Sequence, residues 1–364
     1  MRVLVVNAGS SSLKLRLLDE DDTVLFADDF STHHERFDLA AASASIANHS
    51  RLIDSVGHRV VHGGTTFTEP VVIDDVVDRK LRELASLVPL HQPKSLAGID
   101  LVRDVLRATP AVACFDTAFH ANMPDEATTY AVPQDWRVRL GVRRFGFHGL
   151  SHEYASRRAA DIIGGSTEDL RIVTCHLGAG ASLAAVANGR SVDTTMGFTP
   201  LEGLVMATRS GTVDPGLVTW LIQQAGMTVD DVADALEHRS GLVSLAGEAD
   251  MARILSNADG GDTRSQLAIR VYVHRLRAGI ASMASAMNGL DLLVFTGGVG
   301  ENAPTIRSFT VGGLAFIGAE MDESANVLLT PDADVTGPSS TVRIAIVAAR
   351  EDLQIASKVR RILS

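Results

Sequence analysis

Residues 3–19 read VLVVNAGSSSLKLRLLD and contain the clearest local structural pattern of the chain. Residues 3–6 are an apolar run typical of a buried strand, residues 7–12 are small and polar as in a tight turn, and alternating leucines predict a returning strand. The turn would expose backbone N–H groups and hydroxyls, and Lys14 adds a positive charge beside it, which suits a phosphate. An ordinary hairpin turn uses the same residue types, so this segment alone leaves both interpretations open.

A second segment repeats the pattern. Residues 171–190, RIVTCHLGAGASLAAVANGR, combine an apolar run at 172–175, a glycine-rich polar tip at 176–182, and an apolar return to an Asn-Gly turn. The repeat predicts two lobes of similar plan that face each other across a cleft, with a phosphate-binding tip in each.

Composition limits the classes of function. The 364 residues exceed what one hydrophobic core usually serves, so we expect two domains. The net charge of −11 argues against nucleic acid or an anionic membrane as a partner. Cys114 and Cys175 lie in apolar runs and make no disulfide framework, which favours a reducing cytoplasm. No signal peptide or membrane-spanning segment is expected.

Polar residues follow several predicted strands. Residues 55–64, SVGHRVVHGG, place Arg59 before a glycine turn, where it reaches a cleft or lies on an edge. His58 and His62 have zinc-ligand spacing only on a helix, and on a strand they are too far apart to share a metal ion. Asp116 follows an apolar strand at the edge where ligands bind α/β sheets, although a helix N-cap is the alternative.

Residues 143–154, RRFGFHGLSHEY, place glycines on both sides of Phe147 and His148. The glycines predict a bent backbone that pushes this pair outward, before a helix capped by Ser151. We interpret His148 as a hydrogen-bond donor. The following stretch 192–216 is predicted to be a long functional loop, and Arg209 is its positive charge.

Residues 291–304, DLLVFTGGVGENAP, predict a strand, a glycine turn and a helix whose first turn contains Pro304, which together form an anion site. The glycine spacing does not match a dinucleotide-binding fold, and the chain has neither a Walker A nor a protein-kinase signature. Glu351 follows a last buried strand at 342–348. Three glycine-rich loops and two strand-end carboxylates therefore indicate a two-lobed nucleotide phosphotransferase. An anionic acceptor would need Arg59 and Arg209 for charge screening.

Periodicity also predicts helices at 217–225, at 229–238 behind a Thr228 cap, at 266–288, and after Glu351. Pro89 and Pro93 are expected to fix a loop before a helix through 101–106.

The chain closely resembles the acetate kinase family in eight motifs that occur in the family's order: NAGSSSLK, GHRVVHGG, PLHQP, FDTAFH, RRFGFHGLSH, CHLGAG, DTTMGFTPLEGLVMATRSG and FTGGVGEN. The resemblance implies an α/β fold with two similar lobes of the actin-like ATPase (ribonuclease H-like) type and a central cleft. It also implies a homodimer. The implied reaction is reversible: ATP and acetate give ADP and acetyl phosphate by direct in-line attack of the carboxylate, with Mg²⁺, or alternatively Mn²⁺, as cofactor.

The resemblance assigns roles to matching positions. Metal positions are Asn7 and Glu351, and Arg59 is the acetate contact. The methyl pocket consists of Val61, Leu90, Phe147 and Pro200. Catalytic positions are Arg59, Asp116, His148 and Arg209. Nucleotide positions are Ser10, Ser12, Lys14, His176, Leu177, Gly178, Ala179, Gly180, Asp250, Met251, Ala252, Gly298, Val299, Gly300, Glu301 and Asn302. Because acetate is already ionised at pH 7, no general base is needed, and we interpret Asp116 as an orienter of Mg²⁺ or arginine.

Three departures from the family pattern concern the nucleotide and the rim of the first domain. Ala179 replaces the family's asparagine, which removes a side-chain donor and predicts weaker nucleotide binding. Arg253 stands one position later than the corresponding family arginine. The stretch 19–58 is shorter than usual, and Gln92 and Lys94 differ from the common residues after PLH.

Other interpretations remain open at this point. A propionate or butyrate kinase is the nearest, since a methyl-sized difference in an apolar pocket discriminates only about 10- to 200-fold. A non-catalytic ATP-binding module of the same superfamily would need neither the acyl pocket nor both arginines, and a histidine-based metal hydrolase has less support. We expect domain I, on the acyl and Mg²⁺ side, at 1–118 plus 352–364. Domain II, for nucleotide binding and dimerisation, is expected at 119–351.

Overall fold

The computed structural model of the chain describes residues 1–9, 12–31, 37–86 and 92–364. The chain divides into two compact units. Unit 1 comprises Met1–Ala121, Phe147–Tyr154 and Arg350–Ser364, and unit 2 comprises Asn122–Gly146 and Ala155–Ala349. Ser10, Pro89 and Leu90, for which the sequence predicted roles, lie outside the described residues.

The strands, in chain order, are β1 (Val3–Ala8), β2 (Ser12–Leu18), β3 (Val24–Ser31), β4 (Ser55–Val60), β5 (Val71–Val72), β6 (Ala111–Phe115), β7 (Arg171–Leu177), β8 (Ala181–Ala187), β9 (Arg190–Thr194), β10 (Leu292–Thr296), β11 (Ala333–Asp334) and β12 (Arg343–Ile346). The α-helices are α1 (Leu39–His49), α2 (Asp75–Glu83), α3 (Gln92–Val105), α4 (Asp125–Thr128), α5 (Gln134–Leu140), α6 (Gly149–Ile162), α7 (Pro215–Gln223), α8 (Val229–His238), α9 (Gly241–Ala246), α10 (Met251–Asp259), α11 (Thr263–Ala286), α12 (Gly297–Asn302), α13 (Pro304–Val311), α14 (Glu323–Leu328) and α15 (Glu351–Leu363).

Each unit contains one mixed sheet, and the two sheets have the same topology. In unit 1 the order is β3-β2-β1-β4-β6-β5. Strands β1 to β3 form an antiparallel meander, β1, β4 and β6 are parallel, and β5 is antiparallel to β6. In unit 2 the order is β9-β8-β7-β10-β12-β11, with the same sequence of antiparallel and parallel pairs. The predicted repeat of two similar lobes is therefore confirmed.

The parallel strands of unit 1 are buried on both faces because helices cover them. One face of β1, including Leu4 and Val6, packs in a core with α1 and α3. The other face, including Val3 and Val5, packs against α15. Position 57 in β4 must remain glycine for this packing, since a Cβ there would lie 2.5 Å from Cγ2 of a core isoleucine in α15.

Most predicted elements are confirmed, including the hairpin β1–β2, the helix α8 behind its Thr228 cap, and Pro304 at the start of α13. Cys114 and Cys175 are buried in strands as expected. Among the described residues, no helix combines the length and apolar character needed to cross a membrane.

Four predictions of local structure were wrong. Pro93 lies in the first turn of α3, where a missing N–H costs little, and not in a loop. Helix α6 begins at Gly149, before the predicted Ser151 cap. The glycine turn after β10 is the short helix α12. The tip after residue 175 is limited to residues 178–180, because the ladder between β7 and β8 continues to Leu177 and Ala181.

Candidate active site

Four polar side chains of unit 1 form a connected network, here called the Arg59 cluster: Asn7, Arg59, Asp116 and Glu351. Arg59 donates from Nε to both carboxylate oxygens of Asp116 at 3.0 and 3.1 Å, and from Nη2 to Oδ2 at 2.5 Å. It also donates from Nη1 to the amide oxygen of Asn7 at 3.2 Å. Asn7 donates from Nδ2 to Oε2 of Glu351 at 2.7 Å, and this oxygen lies 3.9 Å from Nε of Arg59.

The sheet of unit 1 brings these residues together. Strands β1, β4 and β6 are parallel, and the ladder places Val6 opposite His58 and Val60 opposite Phe115. The first three cluster residues come directly after Val6, His58 and Phe115. Because carboxyl ends of parallel strands meet at one edge, their side chains are neighbours. The fourth is the first residue of α15, where a carboxylate is favourable for the helix dipole.

The Arg59–Asp116 pair is removed from solvent, and each partner's charge opposes the effect of burial on the other. The side chains of Arg59 and Asp116 are 13% and 1% exposed. Burial opposes the charge of Arg59, but the carboxylates of Asp116 and Glu351 outweigh it and raise the pKa of the guanidinium. Burial raises the pKa of Asp116, and the Arg59 charge and hydrogen bonds oppose that rise. Among the described residues, the hydrogen bonds of Arg59 use its Nε–H group and one N–H on each Nη, which leaves two N–H groups that could bind an anion.

The backbone around Phe147 and His148 is bent as predicted, but Phe147 points inward. His148 has a φ of +56° and Gly146 a φ of +72°. Phe147 is buried, and the ring of His62 packs edge-on against it at 5.5 Å between centroids. The backbone oxygen of Phe147 lies 3.1 Å from Nε2 of His120. The predicted outward orientation is therefore wrong for Phe147, because burial of its apolar ring is favourable.

The start of α6 contacts the Arg59 cluster through the backbone. The N–H of Gly149 donates to the carbonyl oxygen of Asp116 at 2.8 Å. A Cβ at position 149 would lie 2.3 Å from that oxygen and 2.9 Å from Cβ of Phe119. Position 149 must therefore be glycine, and this contact fixes His148, the preceding residue, relative to Asp116.

Val61, a predicted pocket residue, is buried just after β4.

In unit 2, two predicted nucleotide loops lie side by side at the carboxyl ends of β7 and β10. These strands are parallel neighbours, with Thr296 opposite His176. Gly297, at the start of α12, has a φ of +78°, and a Cβ there would lie 2.8 Å from the carbonyl oxygen of Leu177. Gly298 faces open space, since nothing would contact its Cβ within 4 Å. The residues of these loops that the sequence predicts to contact a nucleotide are His176, Leu177, Gly178, Ala179 and Gly180, and Gly298, Val299, Gly300, Glu301 and Asn302.

Asp250, Met251 and Ala252 form the start of α10. The Asp250 carboxylate is the N-cap and accepts from the N–H of Arg253 at 3.0 Å. Met251 is buried, whereas Ala252 is exposed. The side chain of Arg253 is exposed and pairs with Glu248 at 3.3 Å. Asp250 thus has a structural role that is independent of any nucleotide.

Arg209 contrasts with Arg59. It is partly buried, and its Nη1 donates to the carbonyl oxygen of Pro200 at 2.7 Å. Within the described part of the chain, its guanidinium forms no ion pair with a carboxylate. Burial lowers the pKa of Arg209, and the charge of Glu237 only partly opposes this shift. A buried cation of this kind is a strong binding group for an anion.

Sequence reasoning missed one buried arginine next to the nucleotide loops. Arg307 in α13 donates from Nη1 to the carbonyl oxygens of Gly300 and Glu301 at 2.7 and 2.8 Å, and from Nε to Oδ1 of Asn326 at 2.7 Å. It therefore holds the C-terminal end of α12, whose carbonyl groups would otherwise be unsatisfied. A lone arginine among apolar residues of the segment PTIRSFTV was the available signal.

The remaining nucleotide positions flank the first hairpin. Ser12 begins β2, and its carbonyl oxygen accepts from the N–H of Gly9 at 2.9 Å, which closes the turn. Lys14 is exposed on β2. The contact of its ammonium group with a phosphate stays a prediction.

Two mixed sheets of the same order, flanking helices and glycine-rich loops at strand ends define a phosphotransferase of the actin-like ATPase fold. The chain belongs to the Acetokinase family, whose sequence profile matches residues 29–357. The predicted fold class and family are confirmed, and the chain is a kinase by family.

Relatives match the whole chain. An acetate kinase from Caldanaerobacter subterraneus subsp. tengcongensis is 40% identical over 397 aligned residues, covering 100% of this chain and 99% of the relative. The crystal structure of Porphyromonas gingivalis acetate kinase matches with a TM-score of 0.91 and 35% identity, over 100% of both chains. A propionate kinase from Francisella tularensis subsp. tularensis SCHU S4 matches with a TM-score of 0.90 and 33% identity, over 98% of both chains.

Proposed function

We propose that this chain catalyses the reversible, Mg²⁺-dependent transfer of the γ-phosphoryl group of ATP to acetate, giving ADP and acetyl phosphate. The observation that carries the proposal is the Arg59 cluster, in which a buried guanidinium is held on Asp116 while part of its N–H groups remain available for a carboxylate. Membership in the Acetokinase family and the acetate kinase relatives support the choice of substrates.

In the proposed reaction an oxygen of acetate forms the new bond to the γ-phosphorus. The bond from that phosphorus to the β,γ-bridging oxygen breaks, and its electron pair stays on ADP. Acetate is ionised at neutral pH, so no proton has to be removed. Arg59 would bind the carboxylate, Asp116 would fix the direction of Arg59, and His148 and Arg209 would stabilise charge on the transferred group.

The Arg59 cluster also suits Mg²⁺. Kinases hold this ion through one or two carboxylates together with substrate phosphates, and the cluster offers the carboxylates of Glu351 and Asp116 and the amide oxygen of Asn7. We propose Asn7 and Glu351 as the residues that hold it. When bound, the ion would neutralise phosphate charge. Mn²⁺ has the same preference for oxygen ligands and is the alternative.

The nucleotide would bind the glycine-rich loops of unit 2, with ADP as the product. Gly297 and Gly298 would let the phosphates approach the backbone closely. A side chain at Gly297 would collide with β7, and the space beside Gly298 is open. Ala179 is exposed and its side chain offers no donor, so we propose weaker phosphate binding than with the family's asparagine.

A second candidate acceptor is propionate, favoured by the similarity to the Francisella propionate kinase. Val61 and Phe147 are buried apolar residues in unit 1, and Pro200 is buried in unit 2. Such side chains would contact a methyl group or a slightly longer chain, and the discrimination would be modest.

We further propose a cytoplasmic homodimer formed through unit 2. This unit exposes several large apolar side chains, among them Val138, Leu140 and Trp220, which are 74%, 62% and 55% exposed. We propose that such side chains contribute apolar area to the interface between the two copies. Light scattering after size exclusion tests the oligomeric state.

The reaction is tested by ADP formation from ATP and Mg²⁺ with acetate, propionate, butyrate or no acid, with hydroxylamine present to trap acyl phosphate as the hydroxamate. We expect hydroxamate in every acid assay, with the largest amount from acetate. A maximum with propionate would move the assignment to the second candidate. ADP without hydroxamate would indicate an ATPase, and the absence of any turnover would indicate a non-catalytic module.

A further inference from the structure

Tyr130 in unit 2 contacts both sides of the segment that contains Pro200. Its hydroxyl donates to Oε2 of Glu202 at 2.5 Å and accepts from the N–H of Phe198 at 3.0 Å. Phe198 and Glu202 lie two residues before and two residues after Pro200. One hydroxyl group therefore spans the turn at Pro200.

Arg144 completes this network. Its Nη2 donates to Oε1 of Glu202 at 2.7 Å, and its guanidinium lies 5.4 Å from the centre of the Tyr130 ring. Its Nη1 lies 2.9 to 3.2 Å from three successive backbone oxygens at the end of β9, those of Thr194, Thr195 and Met196. Tyr130, Arg144 and Glu202, here called the Tyr130 clamp, thus tie the segment to the sheet.

Gly197 provides independent evidence that the Tyr130 and Glu202 side chains pack tightly against the backbone of this segment. A Cβ at position 197 would lie 1.8 Å from Oε2 of Glu202 and 2.1 Å from the hydroxyl oxygen of Tyr130. The backbone oxygen of Gly197 also accepts from the N–H of Phe145 at 3.0 Å. A side chain at this position would therefore push apart the two polar tips of the clamp.

The segment held by the Tyr130 clamp contacts the guanidinium of Arg209. Arg209 donates from Nη1 to the carbonyl oxygen of Pro200 at 2.7 Å, and this is the side-chain hydrogen bond that directs its guanidinium. A shift of the Pro200 backbone would therefore move Arg209. Arg209 follows Pro200 by nine residues in the sequence, so local backbone geometry alone does not fix this contact.

We infer that Tyr130 is a positioning residue, which through Glu202 and Phe198 fixes Pro200 and hence the direction of the Arg209 guanidinium. The expected effect on catalysis rests on the proposed function of Arg209 and Pro200. The expectation that Tyr130 fixes the position of the Pro200 segment does not depend on that function. Burial and the bond to Glu202 raise the pKa of Tyr130, so the hydroxyl keeps its proton at neutral pH. The hydrogen bond from Arg144 holds the Glu202 carboxylate in position to accept the hydrogen bond from the Tyr130 hydroxyl.

The matched test compares Tyr130→Phe with Tyr272→Phe. Both changes remove one phenolic hydroxyl, but the Tyr272 hydroxyl is buried in α11 with no hydrogen-bond partner within the described part of the chain. We expect Tyr130→Phe to lower kcat by about 10-fold and to change the acetate-to-propionate ratio of kcat/KM, because a small misplacement of catalytic groups is costly. KM for ATP should stay within about twofold. Tyr272→Phe should leave all these parameters unchanged.

Hydrogen–deuterium exchange of a peptide that covers residues 197–209 makes the test independent of activity. Exchange should be at least about tenfold faster in Tyr130→Phe, because the Phe198 amide loses its acceptor, and unchanged in Tyr272→Phe. If the unmodified chain forms no acyl phosphate, the proposed function fails, and the exchange data alone decide whether the clamp holds the segment. Unchanged exchange in Tyr130→Phe overturns the inference.

Gly197→Ala serves as a second variant because it displaces the clamp without removing a polar group. It should reproduce the kinetic and exchange changes of Tyr130→Phe, and the double variant should be little worse than either single one. Two results would refute the positioning role. The first is a normal kcat in a folded Gly197→Ala variant. The second is a fall in kcat that disappears when every variant is assayed at the same number of degrees below its own Tm.

Discussion

Arg59 and Arg209 have the same side chain in opposite electrostatic surroundings. Arg59 is neutralised by Asp116, and its direction is set by a bidentate contact. Arg209 is partly buried, and among the described residues its guanidinium has a backbone carbonyl as its hydrogen-bond partner. The first is suited to orient a carboxylate, and the second to attract developing negative charge.

Replacement of either arginine by alanine should reduce turnover on the order of 10³-fold, roughly 4 kcal/mol of transition-state stabilisation. Steady-state formation of hydroxamate measures it. The exposed Arg253, which pairs with Glu248 on the surface, is the control and should tolerate alanine with less than a tenfold change. Losses below tenfold for both buried arginines would exclude their proposed roles.

Asp116 is proposed to orient Arg59 and not to accept a proton. Asp116→Asn should therefore lower kcat by about 10²-fold while the shape of the pH–rate profile between about pH 6 and 9 stays the same. Burial raises the pKa of the Asp116 carboxyl and the charge of Arg59 opposes that rise, whereas the asparagine is isosteric but uncharged. A displaced acid limb in the variant would instead identify Asp116 as a proton-transfer group.

Ala179 is exposed at the tip between β7 and β8, so a larger side chain fits there. Ala179→Asn should lower KM for ATP by about threefold to tenfold, because one neutral hydrogen bond to a phosphate contributes about 1 kcal/mol. Titration of the nucleotide at saturating acetate measures this change. KM for acetate serves as the internal control, and an equal change in both constants would argue against a specific nucleotide contact.

At the scale of elements, the start of α6 is fixed against the end of β6. The Gly149 N–H contacts the Asp116 carbonyl directly, and the required absence of a Cβ explains the glycine. Helix α12 is fixed in a comparable way by Arg307, which binds the carbonyl groups at its C-terminal end. In the first case a backbone hydrogen bond and in the second an arginine side chain place a helix terminus beside a proposed site.

Gly149→Ala should lower both stability and turnover, since its Cβ would meet backbone atoms that cannot rotate away. We expect a loss of about 1–3 kcal/mol in the free energy of unfolding and at least a tenfold fall in kcat. Gly98→Ala in α3 is the matched control in the same unit, because its Cβ would lie 3.4 Å from the nearest side-chain atom. Similar effects of the two substitutions would argue against a specific contact at Asp116.

At the scale of the whole molecule, three buried neutral histidines set the acid stability of unit 1. Burial lowers the pKa of His58 to about 3 and those of His62 and His120 to about 4. The ring nitrogens of His58 have no hydrogen-bond partner among the described residues. Since an unfolded histidine has a pKa near 6.5, only the unfolded chain gains these protons as pH falls.

The free energy of unfolding of unit 1 should therefore fall between about pH 6.5 and pH 4, by about 2 kcal/mol per histidine at pH 5. Both tryptophans, Trp136 and Trp220, lie in unit 2, so their fluorescence reports that unit alone. Urea unfolding at pH 7 and pH 5 should show a larger shift by circular dichroism than by fluorescence. His58→Leu should reduce this pH dependence, whereas a change at the exposed His274 should not. Coincident shifts by both probes would contradict the localisation to unit 1.

The amino-acid sequence by itself determined the strand-tip-strand repeat, most helices and the nature of the polar residues at strand ends. These features depend on local periodicity and on turn and cap chemistry, which act over a few residues. For the same reason Asp116 and Glu351 were recognised from their positions after apolar strands.

Only the tertiary structure decided which of these residues meet. The bidentate contact between Arg59 and Asp116 joins residues 57 positions apart, and the bond between Asn7 and Glu351 joins residues 344 positions apart. The inward ring of Phe147, the carbonyl contacts of Arg307 and the Tyr130 clamp also depend on packing between distant segments. Local propensity contains no information on such long-range contacts, because their free energy arises only when burial and hydrogen bonding bring the segments together.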